Sequence, residues 1–464
     1  MLPTALFLAL VLIALASLLW AAQRRRARAL ERWHRQPLTR ELGAPAAPSV
    51  TTWADYLALE EALFAEVEEK LVRPGGEDVL DRYRAGSASH PDRQPVPGNR
   101  SFELEAAAPR GAVLLLHGLT DSPYSVRSLA ALFARHGLTA VAPRLPGHGT
   151  APGEIARRGR REWRAAATIG ARRAQERAAG GALYLVGYST GAPLALDLVL
   201  SGRLAGVARI FLISPALGLG PAAALAGLHR LYSFLPGLAG GRWVHVRPEI
   251  EPFKYNSFPK TAAAEAHRLI SKVVRRLRRA DGAGLPPVTV FQSVDDATVD
   301  ARAVPRLLDA GLFPANTELI LFDRDRSSVF ESLRRPRPSP VPETERAREG
   351  LPYRLTVVAG GAGPGTAIAR TWPAGGGPAE EEPLRERWPD QVHSLSHVAL
   401  PFPPDDPLYG FAAPAGGPGL GLGRWTPRGE RGRLRLPAGH LLRLRSNPFY
   451  GYLEGRIAAH LEGG

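Results

Sequence analysis

Between Leu183 and Leu200 a short apolar run, Leu-Tyr-Leu-Val, enters the pentapeptide Gly187-Tyr188-Ser189-Thr190-Gly191 and leaves it as Ala-Pro-Leu-Ala-Leu-Asp-Leu-Val-Leu. The run before the turn reads as a buried strand, and the segment after it has helical apolar spacing. A chain that reverses this tightly from strand to helix forces its central residue into a strained backbone conformation. Side chains two positions to either side would collide with the neighbouring strand and helix, which explains glycine at 187 and 191. The reversal lifts the Ser189 hydroxyl clear of the sheet and leaves the Thr190 N–H at the start of a helix, where it can meet a developing negative charge. Pro193 suits the first helical turn, where no backbone donor is needed. The stretch is a nucleophile elbow.

The surrounding chain supplies the sheet such a turn requires. From about Ser101 onward strands and helices alternate, which implies a mostly parallel sheet flanked by helices. Ala112–Leu116 reads as a strand ending in His117-Gly118-Leu119-Thr120-Asp121-Ser122-Pro123. A helix over about 125–135, a strand at 139–142 and the loop Pro143-Arg144-Leu145-Pro146-Gly147-His148-Gly149 follow. A further helix over about 161–178 leads into the elbow. Later strands are expected near 208–213, 288–292 and 318–322, with one more strand-like run at 354–358. Residues 215–285 contain an apolar, Gly- and Pro-broken segment with Leu225, Leu228, Leu231, Tyr232, Phe234 and Leu235. Lying beyond a strand end, it suits either a lid over the site or a packing insertion. Residues 324–390, rich in Pro, Arg and Gly, read as an insertion.

A serine alcohol is a weak nucleophile near neutral pH; a histidine must take its proton and a carboxylate must orient that histidine. Candidate acids follow the strand at 288–292, as Asp295 and Asp296, with Asp323 beyond the next strand. Candidate histidines are His397, in the apolar setting Ser-Leu-Ser-His-Val-Ala-Leu, and the neighbouring His393.

Four motifs in order, His-Gly-Leu-Thr-Asp-Ser-Pro, Arg-Leu-Pro-Gly-His-Gly, Gly-Tyr-Ser-Thr-Gly and Asp-Asp-Ala-Thr-Val, make the chain resemble α/β-hydrolases of the serine esterase and monoacylglycerol-lipase-like group. The likeness covers about residues 101–323. It implies the α/β-hydrolase fold with Ser189 as nucleophile, Asp296 as orienting acid, His397 as general base, and the backbone N–H groups of Leu119 and Thr190 as oxyanion donors. Asp296 fits the group's spacing of acid, two residues, then an apolar residue better than Asp295 does. His117 and His148 are then expected to shape their own loops. The separation between Asp296 and His397 is long for the group because the insertion lies between them. The resemblance further implies a small carboxylic ester as substrate, hydrolysed through an acyl-enzyme without cofactor or metal, and the apolar N-terminus and the apolar segment within 215–285 suggest that this ester is lipid-derived, such as a monoacylglycerol or lysolipid. An acyltransferase using the same residues, a peptidase, and a non-catalytic binding protein on the same fold are the alternatives.

The N-terminal residues add a separate expectation. Leu2–Ala22 is apolar apart from Pro3, Thr4 and Ser17. At about 1.5 Å per residue it matches the roughly 30 Å hydrocarbon layer. It therefore reads as a transmembrane anchor over residues 1–23. No basic side chain precedes it, unlike a secretory signal, whereas Arg24, Arg25, Arg26, Arg28, Arg32 and Arg35 follow, so the remainder is expected on the cytoplasmic side with membrane lipid as a partner. Residues 24–100 would form a basic juxtamembrane segment, an amphipathic helix at about 51–72 with Trp53, Tyr56, Leu57, Phe64, Val67 and Leu71 on its apolar face, and a linker. The hydrolase domain would occupy 101–464. The net charge of +15 comes from arginine, since only four of the 59 basic residues are lysine. Those arginines are scattered without interleaved aromatics, which argues against nucleic acid as a partner. With no cysteine, thiolate nucleophiles, disulfides and zinc–thiolate sites are excluded. Oligomeric state is not legible.

Overall fold

The computed structural model describes residues 29–45, 49–218, 242–324, 349–389, 394–412, 420–424 and 444–462, with isolated positions before 29 and at 340, 341 and 392. In chain order the main elements are α1 (Trp53–Leu71), β1 (Phe102–Leu104), β2 (Gly111–Leu116), α2 (Arg127–Arg135), β3 (Leu138–Ala142), α3 (Arg160–Ala178), β4 (Ala182–Tyr188), α4 (Gly191–Leu200) and β5 (Val207–Ile213). After these come β6 (Trp243–His245), β7 (Phe258–Pro259), α5 (Lys260–Ala280), β8 (Val288–Ser293), α6 (Ala303–Asp309), β9 (Glu318–Phe322), β10 (Arg354–Gly360), β11 (Ala367–Trp372), β12 (Glu380–Pro383) and α7 (Tyr450–Glu462).

Ten strands form one sheet in the order β1-β3-β2-β4-β5-β8-β9-β10-β11-β12. Its seven central strands run parallel, and antiparallel strands β1, β11 and β12 close the edges. Strands covered on both faces need continuous apolar runs, and each central strand splits its residues between two cores. Ala112, Leu114 and Leu116 of β2, Leu185 of β4 and Ile210 and Leu212 of β5 pack with Trp163 of α3, Leu194 and Leu198 of α4 and Val273 of α5. Val113, Leu115, Val186, Phe211 and Ile213 face the other way, towards Leu129 and Phe133 of α2 and Leu453 and Ile457 of α7. Buried Asp197 joins the helices on the first face by ion pairs with Arg164 of α3 and Arg276 of α5.

Several elements go beyond the sequence reading. Residues 354–383 supply three strands to the sheet where one was expected. Within 215–285, α5 lies in the layer flanking the sheet, with Leu269, Val273 and Leu277 in the main core. The six apolar residues between Leu225 and Leu235 lie outside the described residues, so no lid is described. Helix α1 is opened by a reciprocal cap: Thr52 Oγ1 accepts the Asp55 N–H at 3.1 Å and Asp55 Oδ2 accepts the Thr52 N–H at 3.1 Å. Its buried face carries Leu59, Leu63, Glu60 and Glu66, whereas Leu57 is exposed. Periodicity alone assigns apolar residues to the core, and here two glutamates occupy buried positions because partners meet them.

The transmembrane anchor, and the cytoplasmic placement that followed from it, is corrected: among the described residues no helix is long and apolar enough to cross a membrane. A span requires about 20 consecutive apolar helical residues. Most of Leu2–Ala22 lies outside the described residues.

Candidate active site

Ser189 adopts φ +52°, left-handed backbone that costs a non-glycine residue energy. Its conformation is held from several sides: its N–H donates to the Ile213 carbonyl at 2.9 Å, and its carbonyl accepts the N–H groups of Ala192 and Ala216, both at 3.1 Å. The glycines around it are sterically required. A Cβ on Gly187 would lie 2.5 Å from Ala192 Cα, and one on Gly191 would lie 2.1 Å from the Leu116 carbonyl oxygen.

Two strand ends and the 394–400 turn converge on this hydroxyl. His397 Nε2 lies 2.8 Å from Ser189 Oγ, and His397 Nδ1 lies 2.6 Å from Asp296 Oδ2. Asp296 follows β8, and its other oxygen, Oδ1, accepts the N–H groups of Thr298 at 2.8 Å and Val299 at 3.0 Å. The carboxylate is thereby locked in rotation, with Oδ2 left for the imidazole. All three side chains are buried. The His397 segment is tied to the sheet by Ser293 Oγ–H donating to the Leu395 carbonyl at 2.7 Å and Ser214 Oγ–H donating to the His397 carbonyl at 3.3 Å. Ser396 fastens the same segment to Leu444 at 2.7 Å. Sequence reasoning missed these serines, since nothing in their local pattern separates them from loop serines.

The rival candidates are placed elsewhere. The Asp295 N–H bonds Ser293 Oγ, and the carboxylate that meets the imidazole is that of Asp296. Asp323 is buried beside Arg324, 3.6 Å away, with its N–H on the Val358 carbonyl. His393 lies outside the described residues.

The loop after β2 forms the second wall. Thr120 has φ +66°, and its carbonyl accepts the Tyr255 N–H at 2.9 Å. Neither the Leu119 nor the Thr190 N–H donates to a protein acceptor among the described residues. His117 and His148 are fully buried, and burial lowers the basicity of both, to a pKa of about 3 for His148. Both imidazoles are therefore neutral, and each bonds carbonyls of its own loop. Asp121 is a further group that sequence reasoning left without a role: it pairs with Lys254 at 3.1 Å, and burial raises its pKa despite that cation. A Cβ placed on Gly118 would touch both Asp121 Oδ2, at 2.8 Å, and Ser189 Cβ, at 3.0 Å, so this carboxylate borders the serine.

Among the described residues, Glu68, His90 and Asp92 have potential metal-ligand atoms within 4.8 Å of one another. Glu68 and Asp92 are solvent-exposed, and the three line a cavity of about 280 Å³ between α1 and residues 82–100, with none of the Ser189 array in its wall.

A parallel sheet whose central strand delivers a strained serine to a histidine, backed by an acid past the end of β8, two strands away, defines the class of α/β proteins with an elbow serine. Residues 113–363 match the alpha/beta hydrolase family, and the chain belongs to it. The chain is 28% identical over 188 residues to a thermostable monoacylglycerol lipase of Bacillus sp. (strain H-257), covering 40% of this chain and 71% of that lipase. Among solved structures it is similar to a metagenome-derived lipolytic enzyme, with 27% identity, 49% of this chain and 89% of the other covered, and a TM-score of 0.41. It is also similar to a soluble variant of monoglyceride lipase from Saccharomyces cerevisiae, with 15% identity, 48% and 82% covered, and a TM-score of 0.39. Within the family the protein falls in the lipase and esterase-like group, and it is a hydrolase.

Proposed function

We propose that the protein hydrolyses carboxylic esters of the acylglycerol type through an acyl-enzyme formed on Ser189. The reading rests above all on the continuous Ser189, His397 and Asp296 contacts of 2.8 and 2.6 Å. Ser189 Oγ attacks the ester carbonyl carbon while its proton passes to His397 Nε2, and Asp296 Oδ2 accepts Nδ1–H and offsets the charge of the imidazolium. The oxyanion is met by the N–H groups of Leu119 and Thr190. Collapse breaks the bond to the alcohol oxygen, which leaves with the proton from Nε2. Water then attacks the acyl-enzyme, gives a proton to His397, and releases the carboxylic acid as the proton returns to Ser189. The 28% identical relative named as a monoacylglycerol lipase supports a fatty-acyl ester of glycerol as the substrate class.

Labelling with a fluorophosphonate, followed by mapping of the modified peptide, tests the nucleophile. The label is expected on Ser189 and lost in both Ser189→Ala and His397→Ala. Wild type that folds but takes no label would refute the serine mechanism, and loss in Ser189→Ala alone would refute the role of His397. Rapid cleavage of short soluble esters with no turnover of monoacylglycerols in detergent would refute the substrate class.

A further inference from the structure

Residues 29–71 precede the stretch that matches the family, yet they reach the centre of the fold through Arg144, the fully buried second residue of the Pro143–Gly149 loop. Glu41 accepts from both terminal nitrogens of its guanidinium, at 2.9 and 3.0 Å, and Glu60 of α1 accepts from Nε at 2.8 Å. Glu41 also accepts the Gly147 N–H at 3.0 Å. The backbone of Arg144 is held as firmly, with its N–H on Ser101 Oγ at 2.7 Å and its carbonyl accepting the Tyr56 hydroxyl at 2.5 Å. Ser101 in turn donates its hydroxyl and its N–H to Glu60, both at 2.9 Å.

The next residue carries this fixation to the site. Leu145 donates its N–H to His117 Nε2 at 3.0 Å. A nitrogen that accepts carries no proton, and the imidazole is neutral, so its one proton is on Nδ1. Nδ1–H donates to the Gly118 carbonyl at 2.9 Å. That carbonyl and the Leu119 N–H belong to one planar trans peptide unit, so anchoring the oxygen fixes the direction of the N–H at the other end.

The geometry points to a positioning relay that runs from Glu41 and Glu60 through Arg144, Leu145 and His117 to the Gly118–Leu119 peptide, by which the N-terminal segment aims an oxyanion donor beside Ser189. The inference rests on the reading of Ser189 as nucleophile and the Leu119 N–H as oxyanion donor. Buried ion clusters are often no more stabilising than apolar side chains of similar volume. Fixing one loop geometry gives this one a reason to exist that stability alone does not.

Glu41→Gln tests the relay, because it keeps the side-chain size and removes the charge and one acceptor. A loss in kcat of up to about 100-fold is expected on a p-nitrophenyl ester, the scale of misplacing one group by about 1 Å, with KM within about twofold. Affinity for a trifluoromethyl ketone, which adds Ser189 Oγ to form a tetrahedral oxyanion, should fall by the same factor. Glu66→Gln is the matched control. Glu66 is buried and holds the Thr39 and Arg40 N–H groups of the same segment, but it touches no member of the relay. It should leave kcat and ketone affinity at wild-type values. Equal losses in the two variants, or wild-type turnover by Glu41→Gln, would overturn the relay. Where Glu41→Gln does not fold, His117→Asn and His117→Ala replace it. The asparagine amide can supply the lost donor, so it should retain at least about tenfold more kcat than alanine, and equal loss would overturn the relay. A folded wild type that is not labelled at Ser189 would instead refute the underlying reading of the site.

Discussion

Replacing Asp296 by asparagine changes one atom and should disable the histidine without disturbing the fold. The Thr298 and Val299 N–H groups both point at Oδ1, at 2.8 and 3.0 Å, so the asparagine oxygen must occupy that position to accept them. The amide NH2 then faces His397 Nδ1, where Oδ2 now lies 2.6 Å away. An NH2 group can only donate, so Nδ1 becomes the acceptor and the imidazole proton moves to Nε2. Nε2, 2.8 Å from Ser189 Oγ, can no longer accept the serine proton. Rotating the amide to rescue the tautomer would set NH2 against two backbone donors, leaving two buried N–H groups unpaired at about 1–3 kcal/mol each. The wrong tautomer costs about 10,000-fold in kcat, or about 5 kcal/mol of barrier at 1.36 kcal/mol per tenfold. The assay is steady-state hydrolysis of a chromogenic ester by Asp296→Asn, with thermal unfolding to show that the fold persists. A loss below about tenfold in a folded variant would refute Asp296 as the orienting acid, and a large loss in Asp295→Asn would redirect the assignment.

Gly191→Ala should lower stability by at least about 1–3 kcal/mol, because its Cβ meets the Leu116 carbonyl oxygen at 2.1 Å and backbone must move; an unchanged Tm would show the elbow to be looser than described. His34 is buried against Ser257, with Nδ1 accepting the Glu31 N–H, and burial, assisted by Arg35, lowers its pKa from 6.5 to about 4. The unfolded chain therefore binds the extra proton first, so this contribution to stability is complete above about pH 6.5 and lost as pH falls towards 4. Thermal unfolding across that window should show a shallower acid slope in His34→Gln, and parallel slopes would refute the assignment. Lys254→Met leaves Asp121 buried without its cation and should cost about 1–3 kcal/mol, discounted for the part-exposed lysine, and most of the loss should be recovered in the Asp121→Asn double variant. Strictly additive losses in a denaturant double-mutant cycle would show that the two do not interact.

What was legible in the sequence follows from how local each cause is. The elbow could be read from Gly187 to Gly191 because its constraint is steric and falls within five residues. The strands at 112–116, 183–188 and 288–292 could be read because a strand buried on both faces must be apolar throughout. The apolar run at the N-terminus is the contrary case: its composition matches the length a span would need, yet among the described residues no helix is long and apolar enough to cross a membrane. Glu41, Glu60 and Arg144 are separated by up to 103 residues and look like surface charges until the fold buries them together. Likewise Ser293 and Ser214 fasten the His397 segment, 102 and 183 residues away, through contacts no local pattern encodes. The sequence by itself determined which residue types were present, in the order serine, acid, histidine, and where the chain had to turn. The choice of Asp296 over Asp295 followed from the resemblance, but only the tertiary structure brings its carboxylate to 2.6 Å from the imidazole and decides which buried charges hold the surrounding loops. Those outcomes depend on distances between strand ends and on the loss of water around paired charges, neither of which exists until the sheet has formed.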